Sequence, residues 1–316
     1  MASTTIVTIV LLAVIQAAMS TNNCSNPCYP NQFFQNIEGN LTKIVWAHAV
    51  NSRAKLEEAL LSKDVMMLEA DVVLGNLNNN TEMIPIMAHP PNTTSDLSLE
   101  DFLNITSNSR MGIKLDFKTD EAFENSKSIL KNWRSILVKR PVFLNADILA
   151  GPVNATTIPL NATAFLKGAN ETMPESILSI GWTTRYGKEF NVTEGQYTVE
   201  QLKNMTDILK ENSVTQSVTY PVRACFAAGN IDGIKDLLKN TTSYNSTLTI
   251  WSSKNDSVDA TKLSELIREV GVKKVYVDVS KDLKDKLNFS GASAMTSTMV
   301  MNLGASLVLL ALSRML

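Results

Sequence analysis

Short runs of β-branched and apolar residues alternate with amphipathic stretches along most of this chain of 316 residues. The runs begin at residues 44, 66, 111, 141, 176, 217, 247 and 274. Strand–helix alternation at this spacing predicts parallel strands joined by right-handed helical crossovers. Eight such units predict an α/β fold closed into a (β/α)8 TIM-like barrel, rather than an open doubly wound sheet.

Motifs and charge exclude several classes of protein. No glycine-rich dinucleotide fingerprint follows the first run, which ends His48-Ala-Val-Asn51, and the chain contains no P-loop. The 31 acidic and 29 basic residues give a formal net charge of −2, so we expect no nucleic-acid partner, because neutralising phosphates needs a basic face. A hydrophobic content of 44% is enough for a large core and excludes global disorder.

Polar residues interrupt the predicted strands where a barrel interior would otherwise be apolar. Glu69 and Asp71 lie two apart within the second run, so both point to the same side of the sheet. Active sites of TIM barrels lie at the carboxyl ends of the strands. The same spacing recurs on the third and fourth runs, in Lys114, Asp116, Lys118, Asn145 and Asp147.

Three of these carboxylates predict a metal site. Glu69, Asp71 and Asp116 would converge without three neutralising partners, which is costly inside a barrel. A hard divalent cation, Mg²⁺ or Ca²⁺, resolves the repulsion. The two histidines of the chain, His48 and His89, end the first run and a short extra run after the second. There they would act as general acid and base, in an order that the sequence does not decide.

Further residues at the predicted strand ends are candidates for contact with a substrate. Lys118 would stabilise developing charge, and Lys118 and Arg223 both offer positive charge to a phosphate. Each pattern also has a structural interpretation, such as a salt-bridge ladder along the third run, but their combination over three strands favours a functional site. The predicted substrate-binding residues are Lys114, Asn145, Trp182, Arg223 and Trp251.

The combination of His48, Glu69-x-Asp71, His89 and Asp116-x-Lys118 resembles the phospholipase-C-like phosphodiesterase superfamily. That superfamily includes glycerophosphodiester phosphodiesterases and spider sphingomyelinase D. The resemblance implies that the two histidines act as acid and base or as nucleophile, and that the three carboxylates hold the metal. Ala49-Val50 follow the first histidine, where Arg-Gly is common in glycerophosphodiesterases.

More closely, the chain resembles the menorin family over about residues 40–280. This resemblance implies a TIM-like barrel, secreted or cell-surface placement, and a role in neuronal or epithelial patterning. It is carried by Trp46-Ala-His-Ala-Val-Asn51, Leu68-Glu-Ala-Asp71, Pro85-Ile-Met-Ala-His-Pro90, Gly112-Ile-Lys-Leu-Asp-Phe-Lys118 and Ser179-Ile-Gly-Trp-Thr-Thr184.

The two ends of the chain are typical of targeting signals. An apolar run over residues 6–18 before small residues predicts a signal peptide at 1–20, with a membrane anchor as the alternative. Small residues, a polar spacer and an apolar tail over 289–316 predict a GPI-attachment signal, with Ser290 as the attachment site and a tail-end transmembrane helix as the alternative. Between them we expect a cysteine-containing segment at 21–39 and one barrel domain at 40–288. The predicted location is the extracellular face of the plasma membrane, with a lipid anchor in its outer leaflet.

Fourteen N-x-[ST] sequons support a secretory route. In an oxidising compartment, Cys24 and Cys28 could pair with each other or one of them with Cys225, and the sequence leaves both pairings open. A glycan at Asn92, three residues after His89, would lie near the mouth of the predicted site and restrict large substrates. The other sequons begin at Asn23, Asn40, Asn79, Asn104, Asn154, Asn161, Asn170, Asn191, Asn204, Asn240, Asn245, Asn255 and Asn288.

Two functions fit these features. The first is a GPI-anchored, metal-dependent phosphodiesterase that uses two-histidine acid/base catalysis on a phosphodiester substrate. The second is a non-catalytic cell-surface ligand or adhesion cue with a protein partner, built on the same barrel. A glycosidase based on a carboxylate pair is a weaker third hypothesis, because it has no use for two histidines.

Overall fold

The computed structural model of the protein describes residues 24–78 and 80–290. The predicted signal peptide lies outside these residues, as does all of the predicted attachment signal except positions 289 and 290.

Eight parallel strands form one ladder in the order β1-β2-β5-β6-β7-β8-β9-β10. Each strand pairs in parallel with the next, and helices connect them, which confirms the predicted (β/α)8 TIM-like barrel. These strands are β1 (Trp46–Ala47), β2 (Met67–Leu77), β5 (Gly112–Phe117), β6 (Val142–Ala150), β7 (Ile177–Thr183), β8 (Val218–Arg223), β9 (Thr247–Trp251) and β10 (Val275–Asp278).

Two short strands pair with the part of β2 that continues beyond the barrel ladder. β3 (Met83–Met87) pairs antiparallel with the far half of β2, and β4 (Thr94–Ser95) pairs with the end of β2 in parallel. The extra run predicted to end at His89 is therefore an accessory strand. It returns along β2, so that residue 89 lies near the carboxyl end of the barrel.

The helices begin at side-chain caps that the sequence supplies. Ser52, Ser98, Thr119, Thr198 and Asp259 each accept a hydrogen bond from a backbone N–H in the first turn of the following helix, which typically contributes ~1 kcal/mol. The α-helices are α1 (Pro30–Phe33), α2 (Arg53–Leu61), α3 (Leu99–Thr106), α4 (Asp120–Leu137), α5 (Ala162–Thr172), α6 (Val199–Glu211), α7 (Ala224–Ala227), α8 (Ile231–Asn240), α9 (Ala260–Val270) and α10 (Lys281–Lys284).

Strand alternation separates an outer core from the barrel interior. On β2, Leu68, Ala70 and Val72 face outward into the main core between strands and helices. Met67 faces inward, and Glu69 follows it on the same side of the strand. The amino end of the interior is filled by a second apolar cluster from the strands and the N-terminal segment: Phe33, Phe34, Ile37, Leu41, Ile44, Met67, Phe143, Ile177 and Tyr276.

Aromatic contacts knit this second apolar cluster together at the amino end of the barrel interior. Trp46 packs edge-on against Phe143 and Tyr276, with ring centroids 6.0 and 6.1 Å apart. The contact with Tyr276 also joins β1 to β10, the first and last strands of the ladder. The barrel interior is therefore apolar at the amino ends of the strands and polar at their carboxyl ends.

The N-terminal segment is tied to itself and to the barrel. Cys24 and Cys28 form a disulfide, while Cys225 is a free and partly buried thiol, which settles the choice that the sequence left open. The Tyr29 hydroxyl lies 2.8 Å from the Ser217 hydroxyl, just before β8. Within the described part of the chain, no helix combines the length and apolarity needed to cross a bilayer.

The described sequons lie on the protein surface. Asn23 and Asn79 fall outside the described residues, and every other sequon asparagine is exposed except Asn40, which is half-buried. The side-chain oxygens of Asn40 and Asn161 accept backbone hydrogen bonds at the starts of short or regular helices. This geometry leaves the amide nitrogen, to which a glycan attaches, without a role in the cap.

Candidate active site

A cavity of about 480 Å³ opens at the carboxyl ends of the barrel strands. It brings both histidines together with the three predicted metal ligands, although these residues come from separate parts of the chain. Its lining includes His48, Glu69, Asp71, His89, Lys114, Asp116, Lys118, Asn145, Asp147 and Trp251.

The three carboxylates converge because β2 and β5 are parallel and in register. Glu69 lies opposite Lys114, and Asp71 lies opposite Asp116. One carboxylate oxygen from each of Glu69, Asp71 and Asp116 can be chosen so that all three lie within 4.8 Å of one another. An oxygen-only donor set of this size suits a hard divalent cation.

Neutral donors fix the orientation of each carboxylate. Asn51 donates to Asp71 Oδ2 at 2.6 Å and accepts from the Asp71 backbone N–H at 2.9 Å. Asn145 donates to Asp116 Oδ1 at 2.6 Å. The Ala49 backbone N–H donates to Glu69 Oε2 at 2.7 Å. Such partners hold ligands in place in metal sites.

The ammonium group of Lys118 lies between two of the acidic residues. Its Nζ is 2.8 Å from Asp71 Oδ1 and 2.6 Å from Asp116 Oδ2. Burial opposes the charged form, but the two carboxylates outweigh it and raise the pKa of Lys118 above its ordinary value. Burial likewise opposes ionisation of Asp116, while Lys118 and Lys114 lower its pKa. In Glu69 burial dominates and raises the pKa.

His48 sits where the first and last barrel strands meet. Its Nδ1 lies 3.1 Å from Asp278 Oδ2 and 3.4 Å from Glu69 Oε2. Partial desolvation of the exposed ring opposes its charged form, but Glu69 and the bond to Asp278 outweigh this and raise the pKa of His48 to about 9.

His89 is held differently. Its Nδ1 lies 2.7 Å from the backbone oxygen of Pro90, which follows it in the chain. In neutral imidazole this contact places the proton on Nδ1, which leaves Nε2 as the acceptor.

Two predicted substrate-binding residues have structural contacts instead. Trp182 faces the outer core: it is 1% exposed, packs against Tyr197 and Tyr220, and does not line the cavity. The guanidinium of Arg223 makes two hydrogen bonds to Asp256, at 2.8 and 2.7 Å, and stacks over Trp251. We therefore correct both expectations, because Trp182 points outward and Arg223 is occupied by an internal carboxylate.

The other three predicted substrate-binding residues do line the cavity. Lys114 is 5% exposed beneath it, with its Nζ 6.0 Å from the Trp46 ring centroid. Asn145 is buried and links Asp116 to Ser179, whose hydroxyl donates to Asn145 Oδ1 at 2.5 Å. Trp251 forms part of the opposite wall.

Two further residues that orient the site, Asn51 and Asp278, are not among those predicted from the sequence. Asn51 ends Trp46-Ala-His-Ala-Val-Asn51, one of the stretches that resemble the menorin family, so its place in that stretch could have marked it as a site residue. Asp278 ends β10 but carries no local pattern, and its contact with His48 spans 230 residues of sequence.

Together these features define a TIM-like barrel protein with an acidic, histidine-containing candidate active site at the carboxyl ends of its strands. Comparison with known proteins then gives the family. The Menorin N-terminal domain family model matches residues 40–284. Human protein FAM151B is 39% identical over 237 residues, which cover 75% of this chain and 82% of FAM151B. The chain belongs to the menorin family, as its sequence resemblance predicted.

Solved structures with a similar barrel are distant in sequence. Xylanase 10B from Thermotoga maritima matches 77% of this chain and 84% of its own, with a TM-score of 0.43 and 8% identity. A GH10 protein from Paenibacillus barcinonensis matches the same shares, with a TM-score of 0.39 and 10% identity. Likeness at this level says nothing about the chemistry of the present chain.

Proposed function

We propose that this menorin-family protein is an extracellular, membrane-anchored and metal-dependent phosphodiesterase. The observation that carries the proposal is the convergence of Glu69, Asp71 and Asp116 with His48 and His89 in one cavity. Structural ion pairing alone would not require two histidines from different strands beside three carboxylates.

The acidic cluster would hold Mg²⁺ or Ca²⁺. Glu69, Asp71 and Asp116 supply the oxygen donors, and Asn51 and Asn145 orient two of them. A bound divalent cation would polarise a phosphoryl oxygen of the substrate and neutralise part of its charge.

The histidines would carry the protons. The Nδ1 atoms of His48 and His89 face a carboxylate and a backbone oxygen, respectively. Each ring therefore exchanges its proton through Nε2. One ring takes the proton from the attacking hydroxyl or water, and the other gives a proton to the leaving oxygen.

The surface features support an extracellular location. Exposed sequons cover many of the loops and helices, and the disulfide near the N-terminus suits an oxidising compartment. Together with the terminal sequence patterns, they support our proposal of a glycosylated protein with a GPI anchor in the outer leaflet.

The test is metal-dependent turnover of a panel of phosphodiesters by the protein expressed in a secretory host. We expect activity that needs added Mg²⁺ or Ca²⁺ and falls by at least ~100-fold in His48→Ala and in His89→Ala. Glu69→Gln should also abolish it. Glu175→Gln is the matched control, because Glu175 pairs with Arg134 away from the cavity. Full activity in both histidine variants would exclude the mechanism.

One observation favours a second function, that of a non-catalytic surface ligand. Lys118 already pairs with both Asp71 and Asp116, so these two carboxylates have a cationic partner within the protein. A cell-surface cue would need only the fold and its glycosylated exterior. In that case a double variant, Glu69→Ala with His89→Ala, would still bind its protein partner and restore the cellular phenotype.

A further inference from the structure

Part of the cavity wall carries polar groups that have no hydrogen-bond partner among residues 24–78 and 80–290. The hydroxyls of Thr183 and Ser252 are buried and make no hydrogen bond to any described residue. Both residues line the same cavity as the carboxylate cluster. They lie on the β7 and β9 side of the barrel, across from β2.

Asp147 adds a half-buried carboxyl group to this wall. It lies on β6 two residues beyond Asn145, so it is on the same face of the strand, and it lines the cavity. Unpartnered polar groups inside a protein are costly, so two buried hydroxyls and a carboxyl group around one cavity indicate the place of a ligand.

The local backbone makes room for the Asp147 side chain. The β6–β7 pairing shifts register just after Asp147, and such irregularities commonly redirect side chains beside active sites. Its partner in the ladder is Gly181, where a Cβ atom would come within 2.9 Å of Asp147 Oδ1 and 2.7 Å of Pro221 Cγ. A larger residue at 181 would therefore collide with the carboxylate.

The same side of the cavity argues against a cationic ligand, because Trp251 ends β9 directly before Ser252. Arg223 stacks over the ring of Trp251, with its guanidinium carbon 5.2 Å from the ring centroid. Lys254 lines the same side of the cavity. A ring that already faces a cation is a poor partner for a second one, because both draw on the same π electrons.

We propose that Asp147, Thr183 and Ser252 form a subsite for a hydroxyl-rich group of the substrate, a sugar or another polyol, next to its phosphate. The inference rests on the proposed function, since it names the group that flanks the phosphate. A hydroxyl both donates and accepts hydrogen bonds, so it can satisfy a carboxyl and two hydroxyls at once. A quaternary ammonium group has no N–H or O–H group, so it cannot form a hydrogen bond with any of the three.

The electrostatics of Asp147 agree with a hydroxyl ligand. Burial, and then the nearby Asp116 carboxylate, raise the pKa of Asp147 to about 7. At neutral pH the carboxyl group therefore exists in both forms, and a hydroxyl group can bond to either of them.

The experiment measures selectivity of binding rather than turnover. Calorimetry on the full chain with Mg²⁺ compares glucose 1-phosphate, phosphocholine and inorganic phosphate. We expect glucose 1-phosphate to bind at least tenfold more tightly than phosphocholine, and more tightly than phosphate. Equal or tighter binding of phosphocholine would overturn the proposal.

Two variants locate the selectivity. Thr183→Val and Asp147→Asn should each reduce the affinity ratio of the two esters by about five- to tenfold, roughly the effect of one hydrogen bond. Thr172→Val is the matched control, because the Thr172 hydroxyl is also buried without a partner but lies on α5, outside the cavity. An unchanged ratio in Thr183→Val, with a folded protein by thermal unfolding, would exclude the subsite.

These outcomes separate the subsite from the proposed function. Selective binding of glucose 1-phosphate without hydrolysis of any phosphodiester would retain the subsite and reject the phosphodiesterase. Metal-dependent hydrolysis without selectivity, or with unchanged selectivity in Thr183→Val, would retain the phosphodiesterase and reject the subsite.

Discussion

The imidazole of His48 bonds to the carboxylate of Asp278, with 3.1 Å between Nδ1 and Oδ2. This contact joins the residue that follows the first barrel strand to the last residue of the final strand. It also holds one of the two histidines at the edge of the carboxylate cluster. The same pair thus links the two ends of the strand ladder and orients the candidate acid/base residue.

Replacing Asp278 by Asn should lower the pKa of His48. The folded-state pKa of about 9 lies above the ordinary value of ~6.5, so protonation of His48 favours the folded state. This stabilisation is complete below pH ~6.5 and disappears as the pH rises through about 9. Since the chain has two histidines, NMR titration of the ring protons can follow both.

In Asp278→Asn we expect the His48 titration to move toward neutral pH. Turnover should fall by ~10–100-fold, as is common when a partner that orients a functional side chain is lost. An unchanged His48 titration in the variant would show that Asp278 does not bond to the ring in solution.

Replacing Asp147 by Asn should change the pH dependence of stability. The pKa of Asp147 is raised to about 7 by burial, against ~3.9 in an unfolded chain. Ionisation therefore disfavours the folded state, and the native protein loses stability as the pH rises through this range. The variant should be more stable than the native protein by up to ~4 kcal/mol above pH 7, with no such difference near pH 4. Urea unfolding at both pH values measures this, and a pH-independent difference would contradict the burial of the carboxyl group.

Replacing Lys118 by Met tests the acidic cluster as a metal site. The metal-free variant should lose ~3–5 kcal/mol of stability, because Asp71 and Asp116 lose their buried cationic partner. Added Mg²⁺ or Ca²⁺ should then raise the melting temperature more than in the native protein, since the cation no longer competes with the ammonium group.

Differential scanning calorimetry with and without the metal ion provides the measurement. Saturation at ~100-fold the dissociation constant corresponds to ~2.7 kcal/mol, or ~5–10 °C for a domain of this size. Lys127→Met is the control, because Lys127 pairs with exposed Glu124 on a helix surface, away from the acidic cluster. A metal response that is equally small in all three proteins would argue that the cluster is structural.

Replacing Asp256 by Ala tests the corrected role of Arg223. The Arg223 and Asp256 side chains are 10% and 2% exposed, so removing the carboxylate leaves a largely buried guanidinium without its partner. We expect a loss of ~3–5 kcal/mol in the free energy of unfolding. A loss below ~1 kcal/mol, measured by urea titration, would show that Arg223 does not depend on Asp256 and is available to bind substrate.

The strand pattern explains which predictions succeeded. Glu69, Asp71 and Asp116 could be grouped because residues two apart share a face and neighbouring strands end at the same edge. The same rule, applied to the fifth barrel strand, would have placed Trp182 outside, since Ser179 and Thr183 occupy the inner face. The fold and the carboxylate cluster therefore followed from periodicity alone.

Contacts between distant residues could not be read in the same way. The pairing of Arg223 with Asp256 depends on how the loop after β9 folds back. The contact of Asp278 with His48 depends on how closely the two ends of the ladder approach. Both are set by tertiary packing, for which a single sequence carries no local signal.

Removing the Asn92 sequon should enlarge the range of substrates. Asn92 is exposed, and its backbone N–H donates to the His89 carbonyl at 3.0 Å. A glycan there would begin one turn away from a histidine that lines the cavity. In Asn92→Gln we expect kcat/KM for bulky, lipid-linked phosphodiesters to rise several-fold, while small soluble phosphodiesters remain unaffected. Asn170→Gln is the control, because that sequon lies on α5, away from the cavity. Equal effects of the two variants, or no loss of glycan mass in Asn92→Gln, would reject a gating role for this glycan.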